Sequence, residues 1–242
     1  ILTIKYIKER GIIMIIGLIG AMEEEIRELK KTITNQEHTE QFGVEFIKGN
    51  LEGKEVVLVL SGIGKVNVTI TVTLLKQLFN VTHIINTGSA GALDSALEVG
   101  DIVIAHSLTY HDVDVTGFNY ELGQMAGMPA QYYPDTEMVR IAQNACREIG
   151  LEPYIGQIVS GDQFVSTQEQ KSEILNNFPL ARAAEMESTA IAQAAYVMGV
   201  PFVIIRAISD SANDEASVTF DEFIVTAGKV SATMVMATVA AL

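Results

Sequence analysis

Cysteine is nearly missing from this chain. Cys146 stands alone, which excludes an intrachain disulfide framework and a cysteine metal cluster and makes the reducing cytosol the simplest compartment. Basic residues are scarce too: 16 Lys plus Arg face 30 Asp plus Glu, for a formal net charge of -14. A polyanion would meet net repulsion, so nucleic acid and anionic membrane surfaces are poor partners. No Pro/Gly/Ser-rich linker, charge block or internal repeat divides the 242 residues, and 48% of them are apolar. That composition suits one well-packed domain and excludes a disordered or fibrous chain.

Near the start, Lys5, Lys8 and Arg10 precede the apolar run Gly11 to Ala21, as in a signal peptide. The run is broken by Gly11, Gly17 and Gly20, is too short to span a bilayer, and leads directly into Glu23, Glu24 and Glu25. It reads instead as a buried first strand ending in a functional turn. Met14 is a candidate initiator, which would make residues 1–13 an N-terminal extension outside a domain of residues 14–242.

Further apolar runs end in small or acidic residues: Val56 to Leu60, Ile84 to Asn86, Ile155 to Val159 and Phe202 to Ile208. They read as buried strands. Asp101 to His106 adds another, and the alternating Val44 to Lys48 suits an edge or hairpin strand. Met22, Ile26, Leu29 and Ile33 form one apolar helical stripe, and the glutamates at its start favour a helix N-terminus. Thr136 to Ile149, Gln168 to Asn176, Ser188 to Met198 and Asp221 to Ala241 also read as helices, whereas the Val and Thr content of Lys65 to Phe79 suits helix or strand. Tyr110 to Pro134 lacks periodicity and reads as a site or interface loop. Strands alternating with helices predict a single-domain, three-layer α/β/α sandwich around a mixed sheet, with ligand beyond the carboxyl ends of the strands.

Familiar nucleotide and hydrolase signatures are missing. Gly62-Ile63-Gly64-Lys65 lacks the earlier glycine of a P-loop and the hydroxyl residue after lysine, Gly88-Ser89-Ala90-Gly91 is not a dinucleotide fingerprint, and Ser89 does not sit in a nucleophile elbow. His111-Asp112-Val113-Asp114 has no second ligand group at metal-binding spacing, so neither metal nor cofactor is expected. What remains is carboxylates at the ends of apolar runs: Glu23 to Glu25, Glu185, Glu187 and Asp210. Each could be a helix cap. Arg206, four residues before Asp210 on an apolar strand, would be costly to bury without a partner, and a ligand is one candidate. Glu185 and Glu187 offer the acceptor-only oxygens that suit a ribose diol.

With these residues assembled, the chain resembles the 5'-methylthioadenosine/S-adenosylhomocysteine nucleosidases of the purine nucleoside phosphorylase superfamily from about Gly17 to Leu242. The resemblance rests on Gly20-Ala21-Met22-Glu23-Glu24-Glu25, Ser61-Gly62-Ile63-Gly64-Lys65, Asn86-Thr87-Gly88-Ser89-Ala90-Gly91, Ser160-Gly161-Asp162, Glu185-Met186-Glu187 and Arg206-Ala207-Ile208-Ser209-Asp210. It implies a nucleoside phosphorylase-like fold and cytoplasmic hydrolysis of the N-ribosidic bond, releasing adenine from methylthioadenosine, S-adenosylhomocysteine and 5'-deoxyadenosine. By that resemblance Asp210 protonates adenine N7 and Glu25 activates the attacking water. Ser89 and Arg206 place the water, and Glu187 and Met186 hold the ribose. The Val165 backbone, Phe164 and Ser209 meet the base, while Met22, Ile63, Val115, Phe118, Tyr120 and Phe220 form the 5' pocket. A homodimer is implied, with a loop of one subunit closing the other's pocket; Ala126 in that loop replaces a proline frequent among relatives.

Two rival functions are a phosphorolytic phosphorylase and a catalytically silent nucleoside-binding protein. The first needs positive groups where phosphate enters, whereas Glu23 to Glu25 would repel it. The second would need no acid and base together. Taken alone, Met22, Ile63, Met186, Phe164 and Val165 read as core or strand-end residues.

Overall fold

The computed structural model describes residues 14–242; the extension expected at residues 1–13 lies outside them. In chain order the strands are β1 (Ile15–Gly20), β2 (Thr34–Gln41), β3 (Val44–Leu51), β4 (Lys54–Leu60), β5 (His83–Ala92), β6 (Ile102–Tyr110), β7 (Tyr154–Ser160), β8 (Ala181–Glu185) and β9 (Phe202–Asp210). The helices are α1 (Glu23–Thr32), α2 (Lys65–Phe79), α3 (Thr136–Glu148), α4 (Gln168–Asn177), α5 (Ser188–Met198) and α6 (Ala216–Ala241), with a single 3-10 turn at Thr116–Phe118.

The strands form one mixed sheet in the order β2-β3-β4-β1-β5-β8-β7-β6-β9, and β5 also pairs with β9. The second half therefore curls back on itself, with β5 joined to β1, β8 and β9. Alternate side chains feed opposite faces of the sheet, as the pleat requires. Val57 and Val59 pack with Val68, Val72 and Leu75 of α2 and with α5. Val56 and Leu58 pack with Ile26 and Leu29 of α1, Met138 and Cys146 of α3, and Val235 of α6. These are the helical layers on the two sides of the predicted sandwich.

Lys65–Phe79 resolves as helix: Gly64 at its N-cap and left-handed Asn80 at its C-cap, whose N–H reaches Leu75 O, bound it at both ends. Helix α6 begins at Ala216, ahead of the expected Asp221. It is long and apolar enough by composition to cross a bilayer, yet Ile224, Ala227, Met234, Val235 and Val239 are buried, where α6 packs against α1, α3, β5 and β9. β2 and β8 were not evident from their sequences.

Candidate active site

A cavity of about 420 Å³ opens at the carboxyl ends of β1, β5, β8 and β9 and is lined by Met22, Glu25, Ile63, Ser89, Phe164, Met186, Glu187, Ser209, Asp210 and Phe220. β1, β5 and β9, which pair in parallel, open their carboxyl ends here. These ten, together with Glu185, were singled out in the sequence and share one space.

Glu25 enters from the first turn of α1 and is buried. Its Oε2 accepts the Ala21 and Met22 N–H groups at 2.8 and 3.1 Å, and its Oε1 accepts the Ser89 N–H and hydroxyl at 3.0 and 3.1 Å. An ionised carboxylate only accepts hydrogen bonds, and these donors match both of its oxygens. The helix N-terminus adds a favourable field. Gly88 makes this approach possible: a Cβ there would lie 2.8 Å from Glu25 Oε1 and 2.1 Å from Arg206 Nη1.

Asp210 closes the opposite end of the constellation from the last position of β9. Burial pushes its carboxyl above the ordinary range, against the opposing hydrogen bonds from the Ala212 N–H and Ser209 hydroxyl and the nearby charge of Lys171. Those hydrogen bonds, 2.8 Å to Oδ1 and 2.9 Å to Oδ2, fix the orientation of the carboxyl. Gly91 lets β5 pass this closely, since its Cβ would stand 2.8 Å from Asp210 Oδ1. The Gly-Ser-Ala-Gly segment is thus a backbone slot between two carboxyls rather than a phosphate loop.

Glu187 is the third buried acid. Its carboxyl is pushed up to about 8 by burial and then by Glu185, against Arg206 and the Gly64 N–H. Phe164 and Phe220 meet edge to face across the cavity, with ring centroids 5.7 Å apart.

Arg206 is 1% exposed and lies behind the cavity wall. The partner for which a ligand was one candidate comes from within the chain: Glu185 pairs with its guanidinium, Asn86 Oδ1 accepts from Nη2 at 2.8 Å, and the Ser188 hydroxyl accepts at 2.9 Å. Glu185 also receives the Ser188 N–H at 2.8 Å and the Glu187 N–H at 3.1 Å. Asn86 and Ser188 had no assigned role in the sequence reading, and Glu185, offered there with Glu187 as an acceptor for a ribose diol, is engaged with Arg206 instead.

Within the chain, Val115, Phe118 and Tyr120 do not line the cavity. Val115 packs against the main core, and Phe118 is 80% exposed. The Val165 side chain is buried with Ile174 and Phe178 rather than facing the cavity. Among the described residues no group of His, Cys, Asp and Glu could hold a metal ion.

Residues 15–241 match the Phosphorylase superfamily. The 5'-methylthioadenosine/S-adenosylhomocysteine nucleosidase of Staphylococcus carnosus is 52% identical over 91% of this chain and 97% of its own length. That of Lysinibacillus sphaericus is 47% identical over 95% of this chain and 100% of its own. The crystal structure of the Neisseria meningitidis enzyme with methylthio-immucillin-A superposes with a TM-score of 0.93 at 44% identity, covering 94% of this chain and 99% of that one. A futalosine hydrolase from Helicobacter pylori shares the fold with a TM-score of 0.91 at 33% identity, covering 95% of this chain and 99% of that one. The chain belongs to the phosphorylase superfamily and, within it, to the 5'-methylthioadenosine/S-adenosylhomocysteine nucleosidases.

Proposed function

We propose that this chain hydrolyses the N-ribosidic bond of 5'-methylthioadenosine and S-adenosylhomocysteine, releasing adenine and the 5-substituted ribose, with 5'-deoxyadenosine as a further substrate. Methionine salvage and the recycling of S-adenosylmethionine by-products follow from that reaction. The observation that carries the mechanism is the contrast between two carboxyls on one cavity: Glu25 saturated with hydrogen-bond donors, Asp210 pushed upward by burial. A carboxyl whose oxygens are both held by donors suits the positioning of a water, and one pushed towards its protonated form by burial suits an acid role.

Breaking the bond moves negative charge onto the purine and positive charge onto the sugar. Asp210 donates its proton to adenine N7 as electron density arrives there. Glu25 takes a proton from the water that attacks C1', and its negative charge stabilises the developing oxocarbenium ion. Glu187 accepts the ribose hydroxyls beside Met186. Phe164 stacks on the base, with Ser209 and the Val165 backbone at its edge. Ser89 positions the water through Glu25, and Arg206 acts through the Ser89 carbonyl, which its Nη1 meets at 3.4 Å. Met22, Ile63 and Phe220 surround the thioether, whose desolvation costs little.

The 5' pocket is completed in a homodimer by Val115, Phe118 and Tyr120 of a second copy. A buried free thiol such as Cys146 suits the cytoplasm. Hydrolysis is favoured over phosphorolysis because Glu25 occupies the nucleophile's side and would repel phosphate. Incubation with methylthioadenosine in phosphate-free buffer should yield free methylthioribose at a rate that added phosphate does not raise. A product that requires phosphate and appears as the 1-phosphate would overturn the reading. Glu25→Gln should lower kcat by about 10²- to 10⁴-fold; near-normal turnover would remove Glu25 from its role.

A further inference from the structure

Three sequence segments without a catalytic role converge on one another beside the cavity: Gly64-Lys65 before α2, Asp112 after β6, and Asp162 after β7. Helix α2 has no side-chain cap of its own, because Gly64 occupies the N-cap. Its first free N–H groups are instead claimed by acids from elsewhere in the chain. The Gly64 N–H donates to Glu187 Oε1 at 2.9 Å, and the Lys65 N–H donates to Asp162 Oδ1 at 2.8 Å. Adjacent donors of one helix end thus hold the ribose acid and an acid outside the cavity.

The outer acid is itself anchored. Asp112 Oδ2 accepts the Asp162 N–H at 2.9 Å and the Lys65 ammonium at 2.7 Å, and Lys65 Nζ lies 3.8 Å from Asp162 Oδ2 and 5.2 Å from the centre of the Tyr110 ring. Lys65 and Asp112 are each 23% exposed, so solvent screens that pair less than an ordinary surface pair, whereas the Asp162 side chain is 49% exposed and is held mainly by its hydrogen bonds. The backbone leaves little slack: Gly64 has φ 97°, and a Cβ there would sit 3.0 Å from Asp162 Oδ1. Where Asp162 stands therefore determines where the Gly64 N–H points.

We propose that Asp162, Lys65 and Asp112 are positioning residues for the ribose acid: they fix the N-terminus of α2 so that the Gly64 N–H holds Glu187 in the orientation that receives the sugar diol. The proposal rests on the reading of Glu187 as the ribose acceptor. A carboxylate freed from this donor could rotate, and its loss of alignment would be felt only by substrates that carry the hydroxyls it meets.

The test compares kcat/KM for methylthioadenosine with that for its 2'-deoxy and 3'-deoxy counterparts. Asp162→Ala should reduce the preference for the riboside about tenfold, mainly through KM, as expected for the loss of one well-aligned hydrogen bond. Asp162→Asn retains an oxygen that can accept the Lys65 N–H and should restore most of the preference. Lys65→Met should act like Asp162→Ala, with Lys65→Arg closer to wild type, so the result does not depend on one variant folding. Glu187→Gln is the control and should itself reduce the preference. If it does, while Asp162→Ala and Lys65→Met slow all substrates equally, the positioning role is overturned and the Glu187 reading stands. If Glu187→Gln leaves the preference intact, the Glu187 reading fails and the positioning role fails with it.

Discussion

Asp210 and Glu187 are both acids whose burial favours the protonated form, but the consequences differ. The proposed mechanism needs Asp210 protonated, so kcat/KM should fall as pH rises through its elevated pKa. Asp210→Asn cannot supply the proton and should lose about 10²- to 10⁴-fold in kcat. Its residual activity should lack that descending limb; a limb that persists would belong to another group. Glu187 speaks through stability instead. Its folded pKa, about 8, lies above the ordinary value of 4.5, so the folded chain binds this proton more tightly than the unfolded chain. The resulting stabilisation is fully present below pH 4.5 and is lost as pH rises towards 8. His83 and His111 are shifted down by burial and push stability the opposite way near neutrality, but they are shared with a Glu187→Gln variant and cancel in the comparison. Between pH 5 and 8.5 the ligand-free wild type should therefore lose about 3 °C or more of Tm relative to Glu187→Gln. Parallel Tm curves would contradict the shift.

The precision of Glu25 depends on two helices crossing. Helix α6 carries Gly228 in its interior, where glycine is normally unfavourable. A Cβ at this position would lie 2.3 Å from the Glu24 carbonyl oxygen and 3.4 Å from the Glu25 Cα. Only hydrogen fits between α6 and the first turn of α1. Gly228→Ala should therefore push α1 away, destabilise the fold by about 1–3 kcal/mol, and lower kcat, although residue 228 does not line the cavity. Unfolding by denaturant together with kcat measures both effects; a stable, fully active variant would show that the crossing yields without moving Glu25. Such backbone contacts leave no pattern in a sequence, whereas the stripe of Ile26 and Leu29 does. The same distinction explains which elements were legible. Buried runs such as Val56 to Leu60 announced their strands. All of β2 is exposed and polar, held as an edge only by β3, and β8 is a short alanine-rich strand that owes its form to β5 and β7. Glu23 to Glu25 and Asp210 stood out as acids at the ends of apolar segments, but the family resemblance, not their position, singled out Glu25 and gave both acids their roles. The partner of Arg206 was not legible, because Glu185 reaches it only once β8 and β9 flank β5.

For the molecule as a whole, the residues proposed to complete the 5' pocket and an open apolar groove lie near one another on the surface. The stretch after β6 carries Val115, Phe118 and Tyr120, none of which reaches the cavity of its own chain. Nearby, Val66 and Ile70 of α2, Met125, and Val197 of α5 line an apolar groove of about 470 Å³ on the outside. A homodimer joined across α2 and α5 would cover this groove and carry Phe118 towards a neighbouring 5' pocket. Sedimentation should then show a dimer, and Val197→Glu should produce monomers with a raised KM for methylthioadenosine. Phe118→Ala should raise that KM about tenfold, the scale of losing a sizeable apolar contact in a pocket. Complementation provides the sharper measurement. In a heterodimer of Glu25→Gln and Phe118→Ala chains, the site that retains Glu25 receives its Phe118 from the Glu25→Gln partner. Mixed dimers should therefore recover a wild-type KM at about half the wild-type kcat per dimer, which neither parent dimer can show. If Phe118 served its own chain instead, the Glu25-bearing site would keep the raised KM in every mixture.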